Sequence, residues 1–282
     1  MRVQLAGGDQ GTLLSEAGPA LLPFFTTRDA CVLRLVCQEF LAAVRQQPWA
    51  DRGTAIKGSI AAWRACFPHA RCANVQRWVR PFGPNRRAVP VVDADFVHFE
   101  GLRELHMARC TSVTDAAFVH LRGIHTLDMS GCNQHAITDA AFAHLAGIKR
   151  LSIWGCRQAT ITDAAFAHLR GIQLLNMSCC FQFSDAAFVH LRGIHTLDMS
   201  CCWQDTVTDA AFVHLGGIHT LLMERCRQAT ITGVTFSCLK GIFLMGMSGC
   251  SKDAIAAARS MGFTVRTGVG AFGGLTYAFS SA

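Results

Sequence analysis

The chain has 282 residues, of which 51% are apolar and only 16% charged, with a formal net charge of +7. A charged fraction well below the ~25% of ordinary soluble domains excludes a disordered polyelectrolyte and leaves apolar material for a continuous core. No stretch approaches the ~20 apolar residues of a membrane span. Glu16 interrupts the apolar opening segment, against a signal peptide, and fourteen cysteines in so long a chain do not resemble a small disulfide scaffold.

The first patterned segment is 21–49, read as two helices: Thr27 is placed to cap one, and Leu33, Val36, Cys37 and Phe40 keep a three-to-four spacing. Residues 61–76 read as a decayed repeat, a helix followed by a strand at 70–75. Residues 71–87 hold five arginines and no acid. Such a run can mark a nucleic-acid site, but Pro81, Gly83 and Pro84 give it the composition of a solvated linker, and no nucleic-acid partner is expected.

From residue 92 the chain is periodic. DAAFVHLRGIHTLDMS occurs twice, at 115–130 and 185–200, and its relatives place phenylalanines at 96, 118, 142, 166, 188, 212 and 236, in steps of 22 or 24. Seven cysteines, from Cys110 to Cys250, keep the same steps. A fixed period in the twenties is the signature of a solenoid. Within 137–156, Thr138 is a plausible N-cap, Asp139 suits the positive end of a helix dipole, and Gly147 supplies the left-handed residue that ends the helix. Leu151 and Ile153 then follow at strand spacing. Each repeat is therefore a helical turn and a short strand, and neighbouring repeats must stack to bury their Ile, Leu, Met and Phe side chains.

Three further ladders run through the repeats. The cysteines are expected to be buried thiols meeting backbone carbonyls, in a reducing compartment; metal ligation needs clustered ligands instead. His98, His120, His144, His168, His190 and His214 read as a half-exposed helical face, and Gln134, Gln158, Gln182, Gln204 and Gln228 as a stacked amide ladder. Cys179 and Cys201 each precede a ladder cysteine and stand close enough in the pattern to approach one another. Glycine fills that place at Gly131, Gly155 and Gly249, which points to a requirement for small size. Residues 252–265 read as a last helix, with Gly262 as its stop, and a last strand.

The pattern apolar-x-x-apolar-x-apolar-x-x-Cys, as in Ile124, Leu127, Met129 and Cys132, resembles the cysteine-containing leucine-rich repeats. That resemblance covers about residues 92–265 and implies an α/β solenoid with parallel β-strands on a concave face and short helices on a convex face. The repeats also resemble families expanded in giant viruses of amoebae, which implies a host cytoplasm or nucleus. Upstream, Asp29, Leu33, Leu35, Val36, Cys37, Phe40 and Trp49 resemble the F-box, and Leu13, Glu16, Leu21, Phe24 and Phe25 fall against that family's first helix. Leu14 stands where the family has a proline, and Gly18, Pro19 and Pro23 fall inside the expected helix.

The expected organisation is a tail (1–11), a small all-α F-box-like module (12–52), a linker with a degenerate capping repeat (53–91), the repeats with their C-terminal cap (92–265), and a Gly-rich tail (266–282). The resemblance implies a non-catalytic, cytoplasmic substrate receptor of a cullin–RING ubiquitin ligase. It would dock a Skp-type adaptor, and through it a cullin, by Leu13, Glu16, Leu21, Phe24, Phe25, Leu33, Val36, Cys37 and Phe40. The alternative is a repeat scaffold whose N-terminal helices serve only as a cap. Outward strand residues Asp128, Arg150, Trp154, Asn176, Asp198 and Glu224, with Phe181 and Trp203 just past their cysteines, are the candidates for holding a protein substrate. The sequence carries no phosphate-cradling glycine loop, nucleophile elbow or metal-ligand triad, so neither enzyme chemistry nor a cofactor is expected.

Overall fold

The computed structural model describes residues 22–33, 35, 38–50, 56, 58–76 and 90–267, which fall into two compact units, Met1–Asn74 and Val75–Ala282. In the first unit a 3₁₀ turn, Leu22–Phe24, precedes helices α1 (Thr27–Leu33), α2 (Gln38–Gln46) and α3 (Ile60–Cys66) and strand β1 (Cys72–Asn74). The helix and strand expected at 61–76 are both present and belong to this unit. Thr26, not Thr27, caps α1. Its hydroxyl accepts from the Asp29 amide at 3.3 Å while the Asp29 carboxylate accepts from the Thr26 amide at 3.0 Å, a reciprocal box that fixes the cap one residue earlier. Leu22, Ala30, Val44, Trp49, Phe67 and Ala70 form the core of this unit, and the Trp49 indole donates to the Val44 carbonyl at 2.8 Å.

Among its described residues the second unit carries eight strands, β2 (Glu104–His106), β3 (Thr126–Asp128), β4 (Arg150–Ser152), β5 (Leu174–Asn176), β6 (Thr196–Asp198), β7 (Thr220–Leu222), β8 (Leu244–Gly246) and β9 (Val265–Arg266). All pair in parallel with their sequence neighbours, and Leu105, Leu127, Leu151, Leu175, Leu197, Leu221 and Met245 align in one row. Between strands the chain makes one α or 3₁₀ turn such as Asp139–Phe142 or Asp163–Leu169. Thr138 caps its turn as expected, accepting from the Ala140 amide at 3.1 Å. Gly147 takes φ +86°, the left-handed conformation that stops it. The seven repeat phenylalanines are wholly buried. Ser251 caps the closing helix α4 (Lys252–Ser260), and Gly262 follows at φ +79°.

The aspartate after each cap does more than sit at a helix N-terminus. Asp139 reaches into the next repeat, accepting from the Thr162 amide and hydroxyl, both at 2.7 Å. The same pair of bonds joins Asp93 to Thr114, Asp115 to Thr138, Asp163 to Ser184, Asp185 to Thr208 and Asp209 to Thr232. Each hydroxyl thus donates to the repeat before it, and all but that of Thr232 also accept from an amide of their own turn. The series ends at Gly233, which stands in the aspartate position. A Cβ there would lie 2.7 Å from Ala257 of α4, so the missing carboxylate makes room for the closing helix.

Asp139→Ala removes a charged acceptor from two bonds at once and is expected to cost about 2–3 kcal/mol, hydrogen bonds to charged groups being worth ~1.5–3 kcal/mol; urea unfolding measures it, with Asp139→Asn losing less. Phe166→Ala, which also breaks an edge-on contact with Phe183 at 4.7 Å, is expected to cost about 3–5 kcal/mol in the same assay.

Candidate partner-binding surface

Alternation along the strands turns one face of the sheet toward the helical turns and leaves the other open. The middle row of that open face runs His106, Asp128, Ser152, Asn176, Asp198, Leu222, Gly246. The sequence places Asp128, Asn176 and Asp198 here as candidate contacts, yet they are only 6%, 3% and 7% exposed. Their polar atoms are spent within the sheet. Asp128 accepts from the Ser130 hydroxyl and, at 2.8 Å, from the Gln76 amide. Asn176 Oδ1 accepts from the Ser178 hydroxyl at 2.6 Å, and Asp198 from the Ser200 amide at 2.9 Å. The floor is thus hydrogen-bonded to itself. Leu174 and Leu222 are buried in it, with Leu244 packed against them, an apolar cluster that the small polar residues around it in the sequence concealed.

Accessible groups lie toward the borders. Trp154 is 37% exposed and Arg150 half-buried. Glu224 is paired, its carboxylate 3.2 Å from the Arg266 guanidinium. Beyond the cysteines, Phe181 and Trp203 stack on one another at 5.3 Å and 8°, and the Arg157 guanidinium lies 4.8 Å from the centre of the Phe181 ring. Trp203 is 54% exposed. The sequence left open whether these two rings face outward or fold onto their own loops; they pack across repeats as an exposed stack capped by a cation. On the opposite border His195, His219 and Phe243 form a second stack, at 4.5 and 4.8 Å. The composition of the repeats does not single it out, although the three share one position in successive repeats.

The cysteine ladder sits as expected. Cys156, Cys180, Cys202 and Cys226 donate to the Met129, Ile153, Met177 and Met199 carbonyls at 3.1–3.2 Å. Burial pushes the Cys156 thiol up to about 12 and the Cys132, Cys180, Cys202 and Cys226 thiols up as well, which keeps them protonated. The glutamines do not stack amide on amide. Gln134, Gln158 and Gln182 donate instead to the Cys110, Cys132 and Cys156 carbonyls at 2.9–3.0 Å. His98, His120, His144, His190 and His214 are half-buried and His168 is exposed; His120 lies 2.6 Å from Glu100.

The position before each ladder cysteine has a different constraint from the small size that glycine suggested. Gly131, Gly155 and Gly249 all have positive φ, and so do Arg109 (61°), Cys179 (61°), Cys201 (59°) and Arg225 (60°). Arginine is not small. The bend demands a left-handed residue, and a side chain there is held at a cost of order 1 kcal/mol.

Of the residues matched to the F-box, Leu13, Glu16, Leu21, Val36 and Cys37 lie outside the described residues. Phe24 is 84% exposed and Phe25 38%, with Leu33 and Phe40 half-buried. The arginine-rich run lies largely outside the described residues too. Among them, no helix is long and apolar enough to cross a membrane.

No family model matches the chain, and a search of curated proteins returned no match. Solved structures that it resembles include the TLR13–ssRNA13 complex (13% identity, TM-score 0.49, 77% of this chain and 35% of that one). Others are the Rad7–Elc1 complex of yeast (15%, 0.37, 58% and 42%) and the Toll–Spatzle complex of Drosophila (10%, 0.42, 62% and 31%). The chain spans about two-fifths or less of the length of each. Likenesses this distant identify neither ligand nor partner here.

Asp198 supplies a test of the self-bonded floor. Burial raises its pKa above the ordinary 3.8, against the lowering effect of hydrogen bonds from Ser200 and Ser178. The unfolded chain therefore ionises first as pH rises, so folding loses stability from about pH 4 up through the folded pKa and does not regain it. Asp198→Asn, the residue that Asn176 already places in this row, is expected to raise the urea midpoint at pH 7, the gain shrinking toward pH 4.

Proposed function

We propose that this chain is a non-catalytic interaction protein of two parts, its N-terminal unit docking a Skp-type adaptor and its repeats presenting a protein substrate. In that reading it is a substrate receptor of an SCF-type, cullin-based ubiquitin ligase. The observation that carries the docking half is an apolar surface on a very small unit: Phe24, Phe25, Val32 and Leu35 are 84%, 38%, 66% and 79% exposed. Four large apolar side chains within twelve residues, beside a core already closed by Trp49 and Phe67, are the composition of a contact surface awaiting cover. Three of them, Phe24, Phe25 and Leu35, are F-box-matching positions.

The substrate half rests on where exposed aromatic and cationic groups gather. Trp154, Arg157, Phe181 and Trp203 form one border of the open face, the residue types that dominate binding energy at protein interfaces. Buried Asp128, Asn176 and Asp198 then set the shape of the floor rather than the contact. Such a receptor works by raising the local concentration of substrate beside a conjugating enzyme carried elsewhere in the assembly.

The test is co-expression of the full chain with a eukaryotic Skp-type adaptor, beside a truncation beginning at Gly53 and a Phe24→Ala/Leu35→Ala variant. Retention by the full chain, loss by the truncation and at least a tenfold weakening in the variant are expected. Folded full-length protein that fails to retain the adaptor would leave the repeat scaffold, with N-terminal helices as a cap, as the function.

A further inference from the structure

Cys179 and Cys201 break the repeat in the same way at the same place. Both occupy the bend position that three other repeats fill with glycine, and both hold the left-handed conformation, at φ 61° and 59°. The register pairs Asn176 with Asp198, and the parallel bonding continues past the strands, with the Cys179 amide donating to the Ser200 carbonyl at 2.9 Å. Three residues beyond that register pair, Cys179 and Cys201 stand opposite one another. Parallel neighbours lie ~4.8 Å apart, inside the 4.4–6.8 Å Cα range of disulfides. Identical backbone conformations send the side chains the same way, so the two thiols lie side by side on adjacent repeats. Both residues are half-exposed, whereas Cys180 and Cys202 beside them are buried.

We propose that Cys179 and Cys201 form a dithiol site for low-molecular-weight disulfides, which they reduce while closing a reversible disulfide between adjacent repeats. One thiolate attacks a sulfur of the small disulfide RSSR, forming a protein–SR mixed disulfide and expelling RS⁻, which takes up the proton that the thiol released. The second thiolate attacks the protein sulfur of the mixed disulfide and expels the second RS⁻, protonated likewise. Two protein thiols are oxidised and RSSR is reduced to two RSH. The bond ties together the two repeats that carry Phe181 and Trp203, two residues further along each chain segment, so oxidation fixes the spacing beneath that stack.

Three features separate this pair from the ladder cysteines. Ladder thiols donate to carbonyls of the preceding repeat and are walled off from solvent. Cys179 and Cys201 stand side by side and half-exposed instead, where a solvent-borne disulfide can reach them. Their side chains also persist where glycine relieves the backbone, and non-glycine left-handed residues tend to gather at functional sites.

The experiment incubates reduced, full-length protein with glutathione disulfide, traps free thiols with N-ethylmaleimide and maps tryptic peptides 171–192 and 193–225. A disulfide joining the two peptides is expected, reopened by dithiothreitol, with Cys180 and Cys202 alkylated only after unfolding. Cys179→Gly and Cys201→Gly, which restore the residue that other repeats use, should fold at least as stably as the parent. Each should abolish the cross-link and leave the remaining cysteine as a glutathione adduct. The proposal is overturned if both cysteines of the parent accumulate glutathione without cross-linking. It is equally overturned if the cross-link survives in Cys179→Gly, or if neither thiol reacts in native protein while both react after unfolding.

Discussion

One interaction sets the terms for the rest of the repeat unit: the carboxylate that opens each helical turn accepting from both the amide and the hydroxyl of the Thr or Ser in the next repeat. It recurs from Asp93 to Thr232 with hydroxyl contacts of 2.5–2.7 Å. Charge-assisted bonds of this length are about twice as strong as neutral ones, and from Thr114 to Thr208 the hydroxyl is oriented before it is used because it also caps its own turn. The linkage has a direction. Every repeat hands a carboxylate forward, so the first needs no acceptor behind it and the last must not present an unmatched charge. Gly233 meets that requirement, and its lack of a Cβ admits Ala257 of the closing helix. Chain termination is written into the same position that drives propagation.

On the other side of the core, the strand ladder and the thiol-to-carbonyl contacts repeat with equal regularity. A solenoid fixed at both margins tolerates change only where neither network passes. Those places are the residue before the ladder cysteine, the residue after it, and the outward strand positions. They are where Arg157, Phe181, Trp203, Cys179, Cys201 and Trp154 occur. The identical segments at 115–130 and 185–200 are scaffold, and recognition falls to the parts that differ.

Much of this was legible in the sequence because the physics is local and repeated. The period, the Thr cap, the glycine stop, the buried phenylalanines and the thiol-to-carbonyl contacts each follow from a pattern seen several times. The Asp–Thr linkage was present in the same letters but read as a helix-dipole effect, since the donors to the aspartate lie a full repeat away. Loss of the aspartate at Gly233, where the series meets its end, was the available clue. Burial of Asp128, Asn176 and Asp198 was hidden for a related reason. Alternation tells which face a side chain takes, not whether Ser130, Ser178 and Ser200 two residues on will close over it. Small size was inferred at the bend because glycine was common there; Arg109 and Arg225, already visible in the sequence, show that conformation is the constraint.

The departures from the repeat are not scattered. The loop after Cys180 is two residues shorter than those after Cys156 and Cys202, and Phe183 fills the interior space that Ile137 and Ile161 take in the longer loops. The same repeat carries Phe181 in place of Asn133 or Arg157 and Cys179 in place of glycine, and the repeat after it answers with Trp203 and Cys201. The junction thereby places an aromatic against an aromatic and a thiol beside a thiol in register. Each cysteine there also carries backbone strain that glycine would remove. A matched pair of exceptions at both variable positions of one junction sets that junction apart from the others, where Arg109 and Arg225 depart at the bend without a like neighbour.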